Sequence, residues 1–440
     1  MIPSPPQAPT SPFSLIGGYV STLRELATKA TNESEWNVRC HAVLNGEANK
    51  QIRLAIPLRT RRKFGAFFTG SELRKRLLSH LSPCDSSSLF YDPTCGMGDL
   101  LLAVANLLPL KSTLIETLHS WGSQLAGTDL HSEFIEGAKS RLVVLARQRH
   151  GAFAEGNALE FDFFPLIRTG NALDQVSEYR RATHILMNPP FGAVKVGKKC
   201  KWAAGQVTAA AVFIADALLK IEPGVQILAV LPEVLRSGSF SENWRQEVSK
   251  LACVSLVEPY GVFDEAADID VFLLGLVRRG DDKLNELKWP AQPKTDSATL
   301  GDLFDVHVGK VVPHRDKNKG LLYPYIHSRC VPPWTVMTEF SEDRRHKSPG
   351  YIPPFVAIRR TSRPDQPYRA TATVISGNKP VAVENHLLVC EPKDGKLDTC
   401  LQLMTQLQSE PVNAYLNERI RCRHLTVSSV SDIPVSLPNP

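Results

Sequence analysis

Between about residue 64 and residue 279, short apolar runs alternate with longer stretches whose apolar positions recur at helical spacing. The runs predict strands at Leu89–Asp92, Leu125–Asp129, His184–Asn188, Gln226–Leu231, Cys253–Glu258 and Val271–Val277. Helices are expected between them, at Asp99–Leu108, His131–Arg147, Val207–Ile221 and Glu242–Leu251. A further strand belongs somewhere in 151–169. Near-continuous apolar strands alternating with helices describe an α/β fold with a mostly parallel sheet covered on both faces.

The flanks read differently. Residues 13–60 carry apolar positions at roughly helical spacing. Residues 1–12 hold five of the chain's 32 prolines and too little apolar surface to order, so a disordered tail is expected. Seventeen more prolines fall in 290–440. There, after a polar linker at about 280–299, short β-like runs (FVAIRR, ATATVI, HLLVC) precede one helical segment, Leu397–Glu418. This predicts a separate α+β domain over 300–440, with a catalytic-type domain over 61–285.

Composition narrows the classes. Of 440 residues, 43% are hydrophobic and 22% charged, which excludes disorder as the dominant state. No run approaches 18 apolar residues, and the N-terminus lacks the basic start and apolar core of a secretory signal, so no membrane association is expected. Nine cysteines form no CxxC pair, which argues against a metal site or a disulfide framework and fits a reducing cytoplasm. The net charge of +6 permits a polyanionic partner without demanding one.

Two segments carry chemistry. In LFYDPTCGMGDLLLAVA (89–105), a strand ends in Asp92, a turn bearing Gly96 and Gly98 follows, and a helix begins. Such glycines let the backbone approach a ligand at the carboxyl end of a strand. The next strand ends in Asp129, where an acid can accept hydrogen bonds from ribose hydroxyls. The gap from Gly98 to Asp129 exceeds the usual ~20 residues, and an extra helical turn around Thr113–Trp121 would absorb it.

The second segment is HILMNPPFG (184–192). A tetrapeptide Asn/Asp-Pro-Pro-aromatic arises by chance in about one chain in a hundred of this length. Its chemistry suits an amine conjugated to a ring, which becomes nucleophilic only when acceptors draw its hydrogens out of the ring plane. The Asn188 side-chain oxygen can take one hydrogen and the Pro189 carbonyl the other. Pro190 removes an N–H and fixes φ, and Phe191 offers a face on which a base can stack.

Together these segments resemble the adenine-specific DNA methyltransferases, with the motif order of the gamma group, which includes solitary type II enzymes and type I modification subunits. The resemblance covers roughly 60–280 well and 300–440 more loosely. It implies a doubly wound, seven-stranded Rossmann-like sheet, S-adenosylmethionine as cofactor and a C-terminal target-recognition-like domain. FGAFFTG (64–70) is similar to the family's N-terminal cofactor segment, implying contacts from Phe68 and Thr69, although the family usually ends it in proline. DPTCGMG is similar to the glycine loop, implying cofactor contacts from Asp92, Pro93, Thr94, Cys95, Gly96 and Gly98, with Asp129 and Leu130 at the ribose and Asn188 shared with the amine site. The acid expected at the cofactor's adenine is replaced by asparagine in two GNAL turns, at Asn157 and Asn171, of which Asn171 has the family's spacing.

The resemblance also implies double-stranded DNA as substrate and a nucleoid-associated protein. Lys195, Lys198, Lys199 and Lys201, directly after the tetrapeptide, are candidate phosphate ligands. Phe263 is the candidate second aromatic for an extruded base, and Arg359, Arg360 and Arg363 are candidates for base reading. No nuclease domain is legible, so a restriction endonuclease or specificity subunit would be a separate chain. Methylation of RNA adenine, and a non-catalytic DNA-binding subunit, stay open as alternatives; a glutamine methylase fits poorly with 140 C-terminal residues.

Overall fold

A computed structural model describes residues 13–28, 33–64, 69–151, 163–197, 200–263, 269–280, 289, 298–364 and 366–436. The chain divides into two compact units, one formed by residues up to 235 with 242–287 and the other by 236–241 with 288–440.

The first unit opens with helices α1 (Gly17–Thr28), α2 (Glu33–Ala42), α3 (Ala48–Ala55) and α4 (Leu58–Phe64), followed by α5 (Ser71–Leu78). Then come β1 (Phe90–Asp92), α6 (Asp99–Ala105), α7 (Leu114–Gln124), β2 (Leu125–Asp129), α8 (Ser132–His150), β3 (Ile167–Thr169), α9 (Ser177–Arg181) and β4 (His184–Met187). A hairpin, β5 (Ala193–Val196) and β6 (Gly205–Thr208), leads into α10 (Ala209–Lys220), β7 (Gln226–Pro232), α11 (Glu233–Ser237), α12 (Glu242–Leu251), β8 (Ala252–Val262) and β9 (Asp270–Arg278).

Seven strands form one sheet in the order β3-β2-β1-β4-β7-β9-β8. The pairings from β3 to β7 are parallel, and β9 runs antiparallel to both β7 and β8. The sheet is therefore mixed, because the expected parallel pattern gives way at the β7–β9–β8 edge to two antiparallel pairings. β7 is buried at every position, because helices cover both faces of the sheet's middle. The sought strand in 151–169 is β3, three residues with only Ile167 buried, which explains its faint signal.

Other boundaries move for local reasons. The insertion before Asp129 is a full 11-residue helix, α7, started by a reciprocal capping box between Thr113 and Glu116. Val207 and Thr208 pair with Val194 and Ala193 in the hairpin, so the expected helix begins two residues later. Helix α8 lies between the sheet and the N-terminal helices. Its Arg141 and Arg147 are fully buried and donate to backbone carbonyls, Arg147 to Leu26 and Ala27, Arg141 to Val43 and Met97. An arginine inside the core is tolerated only where such acceptors meet its donors.

The second unit contains α13 (Leu300–Leu303), β10 (Phe304–Val308), β11 (Leu321–Ile326), β12 (Val336–Met337), β13 (Asp343–His346), β14 (Phe355–Arg359), β15 (Ala372–Ile375), β16 (Ala382–Val383) and β17 (Leu387–Pro392). Helices α14 (Leu397–Leu407), α15 (Glu410–Arg419) and α16 (Val427–Ser431) close it. The strands make a five-stranded sheet, β10-β17-β14-β15-β12, and a three-stranded one, β13-β11-β16. Strand alternation sorts β14 between two cores: Val356 and Ile358 join the helices' side, Phe355 and Ala357 the other. The expected single helix Leu397–Glu418 is two, because Pro411 has no N–H to continue the ladder and starts α15 instead.

Candidate functional site

The strand order reverses between β1 and β4, and open α/β sheets bind ligands at the carboxyl ends beside such a reversal. Three adjacent strands end there: β2 in Asp129, β1 in Asp92 and β4 in Met187, followed by Asn188. A cleft enclosing about 830 Å³, solvent mouth included, opens above them. Its walls carry Thr69, Asp92, Pro93, Thr94, Cys95, Gly96, Asp129, Leu130, Asn171, Asn188 and Pro190.

The glycine loop is held by its own backbone. Cys95 N donates to the Thr128 carbonyl at 3.0 Å, Thr94 N to Asp92 Oδ1 at 2.9 Å and Gly98 N to the Cys95 carbonyl at 2.8 Å. Gly98 caps α6 in the left-handed region at φ 81°, and a Cβ there would stand 3.0 Å from Ala138 Cβ. Asp129 ties the loop to the following helix, accepting from Gly96 N at 3.1 Å through Oδ2 and from His131 N at 2.9 Å through Oδ1.

Burial sets the electrostatics. It pushes the Asp92 carboxyl up to about 8, against the lowering bond from Thr94 N and with added repulsion from Asp129. Burial likewise raises Asp129 to about 6, holds the Cys95 thiol well above its usual range and lowers His131. A ligand bearing positive charge and hydroxyls would relieve both acids. Leu100, Leu130, Phe134 and Phe213 add apolar wall, suited to a flat ring. Leu130 is 63% exposed and so remains available to cover such a ring.

Asn188 sits at the cleft's other side. Its Nδ2 donates to Thr69 Oγ1 at 3.1 Å, which leaves Oδ1 as a bare acceptor among the described residues. Pro189 is buried, while Pro190 and Phe191 are half-buried. Thr208 Oγ1 donates to the Phe191 carbonyl at 3.1 Å, so the base of the β5–β6 hairpin pins the tetrapeptide's end. The Phe191 and Phe263 rings meet edge to face, with centroids 5.7 Å apart, rather than standing parallel about a gap.

Several expected residues stand apart. Phe68, Asn157, Lys198 and Lys199 lie outside the described residues. Lys195 and Lys201 are exposed, Lys195 on β5 and Lys201 in the connection between β5 and β6. Asn171 lines the cleft with its carboxamide already engaged: Oδ1 accepts from Leu173 N at 3.2 Å and Nδ2 donates to Asp174 at 3.0 Å. In the second unit, Arg359 donates to the Val331 carbonyl, and Arg360 to those of Leu425 and Asn385. Both arginines thus brace loops through part of their guanidinium groups. Arg363 is exposed.

Sequence reasoning passed over Asp99, Phe213, His131 and Phe134, all on the cleft wall. Asp99 is bound by Arg141 at 2.9 Å and Arg74 at 3.0 Å, a buried cluster that fixes the first turn of α6. Its position one residue after Gly98 was the available signal. Among the described residues, no group of three or more His, Cys, Asp or Glu could hold a metal ion, and no helix is long and apolar enough to cross a membrane.

No family model matches the chain, and neither does any curated protein. Solved structures do. The type IIL restriction-modification enzyme MmeI in complex with DNA superposes with a TM-score of 0.54 at 13% identity, over 88% of this chain and 71% of that one. The type IIG restriction endonuclease BpuSI gives 0.39 at 13% identity over 83% of this chain and 57% of its own. The M protein of the type I restriction enzyme EcoKI gives 0.36 at 13%, over 61% and 60%. At these identities the likeness is one of fold alone, and the first of the three carries it.

Proposed function

We propose that the chain transfers a methyl group from S-adenosylmethionine to the 6-amino group of adenine in double-stranded DNA, in a restriction-modification setting. One observation carries the reading. The Thr69–Asn188 bond turns the carboxamide so that Oδ1 is a fixed, unoccupied acceptor on the same cleft that holds the carboxylates of Asp92 and Asp129.

Asp129 would accept from the cofactor's ribose, and Asp92 lies where the cofactor's positive charges would offset its burial. When bound, the cofactor supplies a methyl group on a positively charged sulfur. Asn188 Oδ1 and the Pro189 carbonyl would each accept one hydrogen of the amine and draw it out of the ring plane, so the nitrogen becomes pyramidal and its lone pair is freed from conjugation with the ring. Transfer of the methyl group to that nitrogen would leave the cofactor's sulfur neutral, and the amine would release one proton to solvent. The buried first turn of α6, held by Arg141 and Arg74, keeps the loop still meanwhile. Phe191 supplies the face for the extruded base once its ring separates from Phe263.

The test is transfer of labelled methyl from S-adenosylmethionine to duplex DNA by the purified chain, with nucleoside analysis of the product. Asn188→Ala should abolish transfer and keep cofactor affinity within a few-fold. A folded wild-type chain that methylates no DNA overturns the reading.

A further inference from the structure

The second unit carries a positive surface that the cleft does not use. Strand β11 pairs antiparallel with β13, Leu321 against His346 through Pro324 against Asp343, and β13 is the edge of its sheet. The turn 312–320 folds back onto that edge and is tied down along its length. Arg344 donates to the Asp316 carbonyl at 3.0 Å, Arg345 N to Asn318 Oδ1 at 2.8 Å and Arg345 Nη1 to the Gly320 carbonyl at 3.2 Å. Gly320 has φ 114°, and a Cβ there would collide with the His346 carbonyl, so only glycine closes this turn.

Over 314–320 and 343–347 stand Arg315, Lys317, Lys319, Arg344, Arg345 and Lys347 against Asp316 and Asp343, a net of +4. Arg344 is occupied internally and Asp316 accepts from Val312 N, but the ammonium groups of Lys317, Lys319 and Lys347 make no bond among the described residues. The backbone is ordered while the charge is unneutralised. Beside it, Leu321 and Leu322 are 70% and 57% exposed. Successive exposed leucines leave this end of the two-stranded ribbon wet on both faces.

We propose that β11, β13 and the 312–320 turn form a ribbon that enters the major groove of double-stranded DNA, with Lys317, Lys319 and Lys347 on phosphates and the Leu322/Arg345 face toward the groove floor. DNA as partner rests on the function proposed above. The shape favours it independently: the B-form major groove, ~12 Å wide, admits a two-stranded ribbon, whereas that of A-form RNA is too narrow for side chains to read.

The test uses the full chain and fluorescence anisotropy, without cofactor, on a duplex DNA and the matching duplex RNA across a salt series. Lys317→Ala/Lys319→Ala should lower the slope of log K against log salt by about 1.8, about 0.9 per lost phosphate contact. Affinity at physiological salt should fall roughly tenfold with the melting temperature unchanged. Leu322→Glu, which sets a carboxylate against the groove, should weaken DNA by at least that much, and the RNA duplex should bind wild type more weakly than DNA does. An unchanged slope in the double variant, or equal affinity for both duplexes, overturns the proposal. A wild-type chain that shows the slope change yet methylates no DNA rejects the enzymatic reading and leaves the ribbon standing.

Discussion

The cleft above β1, β2 and β4 and the ribbon of β11 and β13 handle charge in opposite ways. In the cleft, Asp92 is buried and Asp129 half-buried, both are engaged by backbone N–H groups, and loss of solvent raises both. On the ribbon, lysine charges stand in water on a backbone that their neighbours immobilise. Groups fixed within tenths of an ångström in a dry site stabilise a particular arrangement of atoms. Cations in water attract any polyanion, with a strength that salt erodes. On the readings proposed above, the first region suits selecting an atom and the second suits holding a chain of phosphates.

Variants should separate the two. Asn188→Ala should lower turnover at least ~100–1,000-fold, the scale of losing one preorganised polar contact at a reacting group, and leave the salt slope of DNA binding where it was. Rates of methyl transfer and anisotropy titrations on the same protein check both halves. Arg141→Ala should destabilise the first unit by about 3–5 kcal/mol, since it leaves Asp99 with Arg74 alone and strands the Met97 and Val43 carbonyls inside the core. Thermal unfolding should show a drop of roughly 10 °C, with the ribbon's salt slope unaffected at low temperature. Phe191→Ala should cost about 1–3 kcal/mol in the apparent affinity for DNA with an unpaired target base, and less for fully paired DNA.

The smallest effect concerns pH. With the cleft empty, the Asp92 carboxyl is protonated at neutral pH, because its folded value of about 8 lies far above its unfolded one. Its contribution to stability is complete below the unfolded value, near 4, and is lost as pH rises through 8. A bound cation favours the ionised form, so cofactor binding should release a fraction of a proton and tighten by about a few-fold between pH 6 and 8. Calorimetry in buffers of different ionisation enthalpy measures the release, and Asp92→Asn should abolish it.

Much of the first unit was legible because its strands are continuous apolar runs ending in polar residues: the ends of β1 at Asp92 and β2 at Asp129 stand where the runs stop. The tetrapeptide was legible because its residue types are rare together. What stayed hidden depends on distant pairing. Asn188 gains its orientation from Thr69, 119 residues earlier, and the ribbon exists only because Leu321–Pro324 registers with Asp343–His346. The burial of Arg141, and the loop carbonyls that Arg359 and Arg360 meet, likewise leave no mark in the local sequence. Sequence spacing conveys period and punctuation, but not which distant backbone meets a side chain.

The central claim is that Asn188 presents an acceptor to an adenine amine beside a bound methyl donor. Mass spectrometry of nucleosides from duplex DNA incubated with the purified chain and S-adenosylmethionine tests it most directly. The account predicts 6-methyladenine from the wild type and none from Asn188→Ala at matched cofactor occupancy. Methylated cytosine, or equal 6-methyladenine from both proteins, would contradict it.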